Sequence, residues 1–332
     1  MEHCMLQSMK IDHKYDNFYV VCCISNPCRY KSRYNLYYQF KKHIVEELGV
    51  KNFITIEMSF GERNYVVTSS DNPNDIQVHG ETEVWLKENL WNLAAKRLPV
   101  TAQYIAFCDA DIRFLNPNVI DETIHSLQHY DVVQMFESVM DLGARGEIRQ
   151  VHKSFVACYL SQYQKYFNNE KKSYLHSGHP GYTIAIRRKT LERLGGFIER
   201  AILGSSDHHT WLALIGRAIE SLPGGVHPEY YKMIMDFETL ALDVVKKNIG
   251  FVQGSLLHNF HGLKKKRKYQ ERWDILTKNS YDPTQDIYFN LHGVMELKNN
   301  DKNIKLRDDI RKYFRDRDED EYTSGEYDDH HK

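Results

Sequence analysis

Four short constellations in the chain carry side chains able to do chemistry. The first is Cys108-Asp109-Ala110-Asp111, reached directly from the apolar run Tyr104–Phe107. Two carboxylates one residue apart at a strand end can both approach one divalent cation. Hard oxygen donors suit Mg²⁺ or Mn²⁺, ions that bridge the oxygens of a diphosphate. Such pairs also recur by chance as solvated turn residues, so what gives this one weight is its delivery by an apolar strand in mid-chain. The second is His258-Asn259-Phe260-His261-Gly262, which again follows an apolar run. A neutral imidazole can complete a cation shell begun by the aspartates, and either His258 or His261 could supply it. The chain has 17 histidines, so a pair with no such role is the competing reading. The third is Gly204-Ser205-Ser206-Asp207-His208-His209 at a helix start. Asp207 there is a cap, a general base, or both. The fourth is Ser177-Gly178-His179-Pro180-Gly181-Tyr182, whose glycines either let the backbone approach a ligand closely or form an ordinary tight turn.

These residues need elements to hold them. Phe18–Ile24 predicts a buried strand ended by Ser25, Asn26 and Pro27; Leu36, Phe40, Ile44 and Leu48 then recur at helical spacing up to Gly49. Strands are expected over Asn52–Met58 and Tyr65–Thr68, with a polar loop after them. A helix over Thr82–Arg97 leads through Pro99 into the strand that delivers Asp109. This alternation predicts a largely parallel α/β sheet, whose ligands bind at the carboxyl ends of strands. Further along, strands are expected at Asp131–Phe136, Tyr182–Ile186 and Phe251–Leu257, and helices at Val156–Phe167 and Asp207–Glu220.

Composition narrows the class. The content is 42% hydrophobic and 27% charged, that of an ordinary globular protein. The net charge of −1 conceals an acidic end, where residues 315–332 hold eight acidic and three basic side chains and leave the preceding body at +4. That mild excess suits an anionic ligand and is too weak to require nucleic acid. The six cysteines form no paired C-x-x-C pattern, which argues against a structural zinc site. No run is long and apolar enough to span a bilayer and no secretory leader opens the chain, so a cytoplasmic, reducing location is expected. Residues 315–332 are charged and poor in apolar groups, so they are expected to be disordered and dispensable.

The order of these motifs, with Gly195-Gly196-Phe197 ahead of Asp207, resembles inverting GT-A glycosyltransferases, especially β-1,4-galactosyltransferases and family-2-like enzymes. The catalytic domains of polypeptide N-acetylgalactosaminyltransferases, which are retaining, are similar as well. The resemblance covers roughly Phe18 to Gly262. It implies an α/β, GT-A Rossmann-like nucleotide-sugar-binding fold with a mixed central sheet over residues 1–262, a basic helical extension over 263–314 and an acidic tail over 315–332. Carried over, Asp109 and Asp111 hold metal and donor, His258 or His261 completes the metal site, and Asp207 deprotonates the acceptor. Ser25, Arg29, Glu57, Gly181 and Tyr182 fall at donor-binding positions. The implied donor is a nucleotide-diphosphate sugar, a UDP-sugar first, with Mn²⁺ or Mg²⁺ and transfer of a hexose. Asp207 is followed by His208 and His209 where the galactosyltransferases have further acids, which leaves the acceptor open. Residues His261–Ile287 look like stretches of phage and giant-virus transferases, so a hydroxymethylated pyrimidine in DNA stands beside a glycan as acceptor. The run Lys264–Lys268 is then a lid over donor phosphates, a track for a nucleic-acid backbone, or a solvated face. A nucleotidyltransferase is the rival from another class, against which Asn26-Pro27-Cys28-Arg29 lacks the glycines of a phosphate loop. A non-catalytic sugar-binding module would need no positioned base.

Overall fold

The computed structural model describes residues 15–167 and 178–321, so Ser177 of the fourth motif and the end of the acidic tail, residues 322–332, lie outside the described part. The chain opens with β1 (Phe18–Ser25), whose apolar run is buried on both faces as the centre of a parallel sheet requires. It continues through α1 (Lys31–Lys42), one π turn over His43–Glu47, β2 (Phe53–Phe60) and β3 (Asp75–Gly80). Then come α2 (Lys87–Arg97), β4 (Tyr104–Cys108), β5 (Ile112–Phe114), α3 (Val119–His129), β6 (Val132–Gln134), β7 (Ser138–Leu142), β8 (Ile148–Lys153) and α4 (Phe155–Phe167). The next elements are β9 (Thr183–Arg187), α5 (Arg188–Leu194), α6 (Ser206–Leu214), α7 (Pro228–Val244), β10 (Ile249–Phe251) and β11 (Ser255–His258). The last are α8 (Arg272–Lys278), β12 (Ile287–Phe289), β13 (Met295–Leu297) and α9 (Asp301–Asp316).

The main sheet has the order β10-β6-β9-β4-β1-β2-β3. Only β9 runs against its neighbours, so the sheet is mixed, as expected for the fold class. A second sheet, β5-β11-β7-β8, begins where the main sheet ends: β4 leaves the first, Asp109-Ala110-Asp111 crosses the gap, and β5 enters the second. Its register sets His258 beside Ile112 on one side and Asp141 on the other. Parallel strands end at this seam, which is where an α/β sheet presents a ligand cleft.

Several sequence expectations shift. Tyr65–Thr68 is not a strand, because the backbone N–H groups of Val66, Val67 and Thr68 go to the Glu57 carboxylate at 2.8–3.0 Å rather than to a neighbouring strand. The third sheet partner is instead the polar segment β3, paired in register with β2. The helix expected from Thr82 starts only at Lys87, and the one expected to reach Glu220 stops at Leu214, before Gly216 at φ +78°. The apolar run Phe251–Leu257 breaks at Gly254 (φ +111°) and serves two sheets, β10 in the first and β11 in the second. The extension after residue 262 is not a separate body. Leu306, Ile310, Tyr313 and Phe314 of α9 share one core with Val21, Leu90 and Phe107. The expected disordered tail likewise begins with an ordered stretch, in which Arg317 and Glu319 are buried. Acids there are matched by cations from distant parts of the chain, a pairing that local composition does not report. Among the described residues, no helix is long and apolar enough to cross a membrane.

Candidate active site

The seam between the sheets floors a cavity of about 1500 Å³, lined by Asp109, Asp111, Gly181, Asp207, His258 and His261 together with Lys87, His179, Arg267 and Arg272. At one end, Asp111 Oδ2 lies 2.9 Å from His261 Nε2 and 3.7 Å from His258 Nε2. The two Nε2 atoms are 3.3 Å apart. One ligand atom from each of Asp111, His258 and His261 falls within 4.8 Å of the others, the one such group among the described residues.

The tautomers follow from what the other ring nitrogens meet. His258 Nδ1 is 2.7 Å from Asp141 Oδ1, and an ionised carboxylate only accepts, so Nδ1 carries the proton. His261 Nε2 accepts from the Arg267 guanidinium at 2.9 Å, which puts a neutral ring's proton on Nδ1. Both Nε2 atoms, that of His261 while accepting from Arg267, nonetheless converge on Asp111 Oδ2. Its other oxygen, Oδ1, is buried without a hydrogen-bond partner. Converging imidazole nitrogens, an orphaned carboxylate oxygen and a carboxylate behind His258 make a donor set that fits a divalent cation such as Mn²⁺ or Mg²⁺. Burial opposes charge on Asp111, but the imidazoles of His261 and His258 hold its carboxyl well below the usual range. Burial likewise works against protonation of His258, yet the Asp111 and Asp141 carboxylates lift it above its ordinary value. Asp141 itself is held well below the carboxylate range against its burial, by hydrogen bonds from His152 and His258 and the charge of Lys264.

At the other end the chemistry changes. Asp109 is set apart from the imidazoles and pairs through Oδ1 with Lys87 Nζ at 3.2 Å. Burial pushes its carboxyl up while Lys87 pulls it down, with a net rise. Lys87 opens α2 and packs its ammonium 4.9 Å from the centre of the Trp91 ring. Asp207, in the first turn of α6, accepts from His208 N at 2.8 Å, so part of its role is local capping. Against its burial, the Lys87 charge and then His179 hold it below its ordinary value, so it is ionised. A side chain at Gly181 would meet Asp207 Oδ2 and His179 at 3.0 Å, so glycine there lets the acid approach the backbone.

The remaining expected residues separate. Tyr182 (φ +75°) is buried beneath the cleft, stacked on His179 at 4.2 Å, with its hydroxyl 3.1 Å from Asp141 Oδ1. Ser25 lines the cavity, and its carbonyl accepts from Arg33 at 2.9 Å. Arg29 is not among the lining residues, whereas Arg33, in the first turn of α1, is. Glu57 is buried away from the cleft with its carboxylate occupied by the loop it supports. Part of the basic run borders the cavity, through Lys264, Lys265, Arg267 and Lys268, and three of its lysines are paired. Lys264 pairs with Asp141, Lys266 with Asp318 and Glu321, and Lys268 with Asp316. Sequence reasoning missed Lys87, Asp141 and Glu319. For Asp141 a signal existed, since it follows Val139 on the inward face of β7, where an acid needs a reason.

No family model matches the chain, and neither does any curated protein. Among solved structures it is similar to the catalytic domain of Drosophila β1,4-galactosyltransferase 7 in complex with xylobiose, at 12% identity and a TM-score of 0.32, over 71% of this chain and 64% of that one. A mutant of the same enzyme with manganese, UDP-Gal and xylobiose gives 11%, 0.38, 86% and 95%. S. aureus TarS 1–349 with UDP-GlcNAc gives 11%, 0.40, 75% and 60%. The 4-diphosphocytidyl-2C-methyl-D-erythritol synthase of Anaerococcus prevotii gives 10%, 0.32, 72% and 88%. The chain thus spans less than two thirds of the xylobiose-bound galactosyltransferase chain and of the TarS fragment, and 95% of the mutant chain. At these identities and TM-scores the likeness assigns no activity, and what the cleft can do follows from its own side chains.

Proposed function

We propose that the chain is a metal-dependent glycosyltransferase of the GT-A type that moves a hexose from a nucleotide-diphosphate sugar, a UDP-sugar first, to an acceptor hydroxyl with inversion. One observation carries this reading: a single cleft holds a carboxylate–imidazole cation site at one end and an ionised carboxylate, Asp207, at the other, with the Asp109–Lys87 pair in the same cleft. A divalent cation held by Asp111, His258 and His261 would neutralise charge developing on a departing diphosphate. Asp207 takes the proton of the acceptor hydroxyl as that oxygen attacks the anomeric carbon, and a base must be ionised before it can do so. Asp109 and Lys87 offer an acceptor and a donor for sugar hydroxyls. A single displacement is the reading because the other carboxylate at this end, Asp109, is engaged by Lys87 and leaves Asp207 as the base.

A glycan is the acceptor this cleft favours over a base in DNA. Lys264, Lys266 and Lys268 are already paired with carboxylates, so they offer no row of cations to a phosphate backbone. A nucleotidyltransferase acting on a phosphate acceptor would need no base at Asp207, because that nucleophile is already ionised. The test is release of UDP from UDP-hexoses with Mn²⁺ or with excess chelator, in the presence of oligosaccharides or of duplex DNA containing hydroxymethylpyrimidine. The reading requires chelator-sensitive transfer to a sugar hydroxyl. Turnover in excess chelator removes the metal, and transfer only to DNA replaces the acceptor.

A further inference from the structure

The C-terminal segment reaches the cation site from the side opposite Asp111. Glu319 is buried, and Arg33 holds it with two contacts, Nε to Oε2 at 2.5 Å and Nη2 to Oε1 at 2.8 Å. Arg317 Nε reaches Oε1 at 2.7 Å. Burial works against its charge, but these two guanidinium groups hold the carboxyl well below its usual range. The Oε2 atom faces His261 Nδ1 at 3.5 Å. That distance is long for a hydrogen bond, and Nδ1 has no other partner although His261 is only 8% exposed. A buried N–H of this kind is either satisfied by Glu319 or left unpaired, and burial makes the second costly.

The backbone around it is fitted to the same contact. Gly262, next to His261, has φ +87°, and a side chain there would meet the Cα of Glu319 at 3.1 Å and the Asp318 carbonyl oxygen at 3.2 Å. The following residue, Asp320, accepts from the backbone N–H groups of Lys31 and Ser32 at 2.8 Å each and so fastens the segment to the start of α1. Arg33 lies on that same turn. One short stretch therefore ties the start of α1, which borders the cleft through Arg33, to the imidazole at the cation site.

Building on the proposed metal-dependent reading, we infer that Glu319 is a positioning residue for His261. It orients the ring through Nδ1 and fixes the tautomer that puts the lone pair on Nε2, where a cation would take the place of the Arg267 contact, as Asp141 does for His258. The site is then incomplete without residues 317–320, which lie inside the stretch whose composition suggests a dispensable tail. Carboxylates behind a ligating imidazole raise its basicity and restrict its rotation, and losing one weakens metal binding by about 10- to 100-fold.

The experiment measures Mn²⁺ affinity of the full chain without donor, by the loss of the free-ion electron paramagnetic resonance signal, alongside melting temperature. Glu319→Gln keeps the side-chain shape and an accepting oxygen. It is expected to raise the Mn²⁺ Kd at least about tenfold. Asp320→Asn, which weakens the tie to α1 without touching His261, is the comparator. It is expected to lower the melting temperature and leave the Kd within about twofold, a small change on the scale set by lost ligand support. Should Glu319→Gln fail to fold, Arg317→Met combined with Glu319→Gln removes one buried charge of each sign and carries the same comparison. Unchanged affinity in a folded Glu319 variant overturns the inference. So does equal weakening by Glu319→Gln and Asp320→Asn, which would mark a merely structural role. A wild-type chain that binds no Mn²⁺ overturns the metal reading itself, and the inference falls with it.

Discussion

Asp109 and Asp111 stand two residues apart at the end of one strand, yet they meet opposite environments. Asp111 faces two imidazoles, has an oxygen left over, and is held well below the usual carboxylate range. Asp109 faces an ammonium, and burial pushes it upward. The seam explains the division. β4 ends in the main sheet and β5 begins in the second, so the intervening turn points one acid toward His258 at the end of β11 and His261 just after it, and the other toward α2 and its lysine. An Asp-x-Asp pair on one strand end therefore need not be one ligand set. On the proposed reading it divides a cleft into an end suited to a cation and an end suited to proton transfer.

The largest effect should come from the proton-transfer end. Asp207→Asn is expected to cut transfer by about a thousandfold while donor affinity stays within a few-fold, because a base acts only in the chemical step. Surviving turnover in steady-state assays would leave Asp207 as a cap and nothing more. Lys87→Met probes what keeps that end charged. It strands Asp109, Asp207 and buried Glu88 without their shared cation, and should cost about 3–5 kcal/mol of stability in denaturant titrations. Asp207 also loses the cation that lowers it, so the acid limb of the pH–rate profile should move to higher pH. An unmoved limb would separate Lys87 from Asp207.

A smaller effect is expected at Glu88. Burial first, with the neighbouring Asp207 and Asp109 charges adding to it, pushes its carboxyl up from 4.5 to about 7. A carboxyl raised on folding binds more protons folded than unfolded in that window. Its contribution is present below about pH 4.5 and is lost as pH rises through about 7. Stability of the wild type relative to Glu88→Gln should therefore fall by about 2–3 kcal/mol between pH 4.5 and pH 8. Parallel stability–pH curves for the two proteins would show that Glu88 is not buried uncharged at this end.

The sequence displayed the strand-borne half of this arrangement more clearly than the rest. Apolar runs closed by Asp109 or His258, or opened after Gly181, announce strand ends, and strand ends in an α/β sheet are where chemistry gathers. The β7–β8 hairpin was hidden because β8 is largely solvent-exposed and lacks an apolar face to give it away. The split of Phe251–Leu257 was hidden because one apolar run can feed two sheets when a glycine at positive φ turns it between them. Lys87 sits in a helix start that reads as ordinary amphipathic surface, and only folding brings Asp109 and Asp207 to it. The stretch 317–321 was misread for a related reason. Its acids look self-repelling in sequence, and their partners Arg33, His261 and Lys266 lie far upstream.

The division of the cleft is tested most directly by Mn²⁺ binding to three proteins measured side by side: wild type, Asp109→Asn and Asp111→Asn. Loss of the ligating carboxylate in Asp111→Asn should weaken Mn²⁺ by at least about a hundredfold, beyond what loss of a supporting residue does. Asp109→Asn should bind Mn²⁺ within a few-fold of wild type while losing transfer. Equal loss of Mn²⁺ in both variants, or wild-type affinity in Asp111→Asn, would contradict the assignment of the cation to Asp111, His258 and His261.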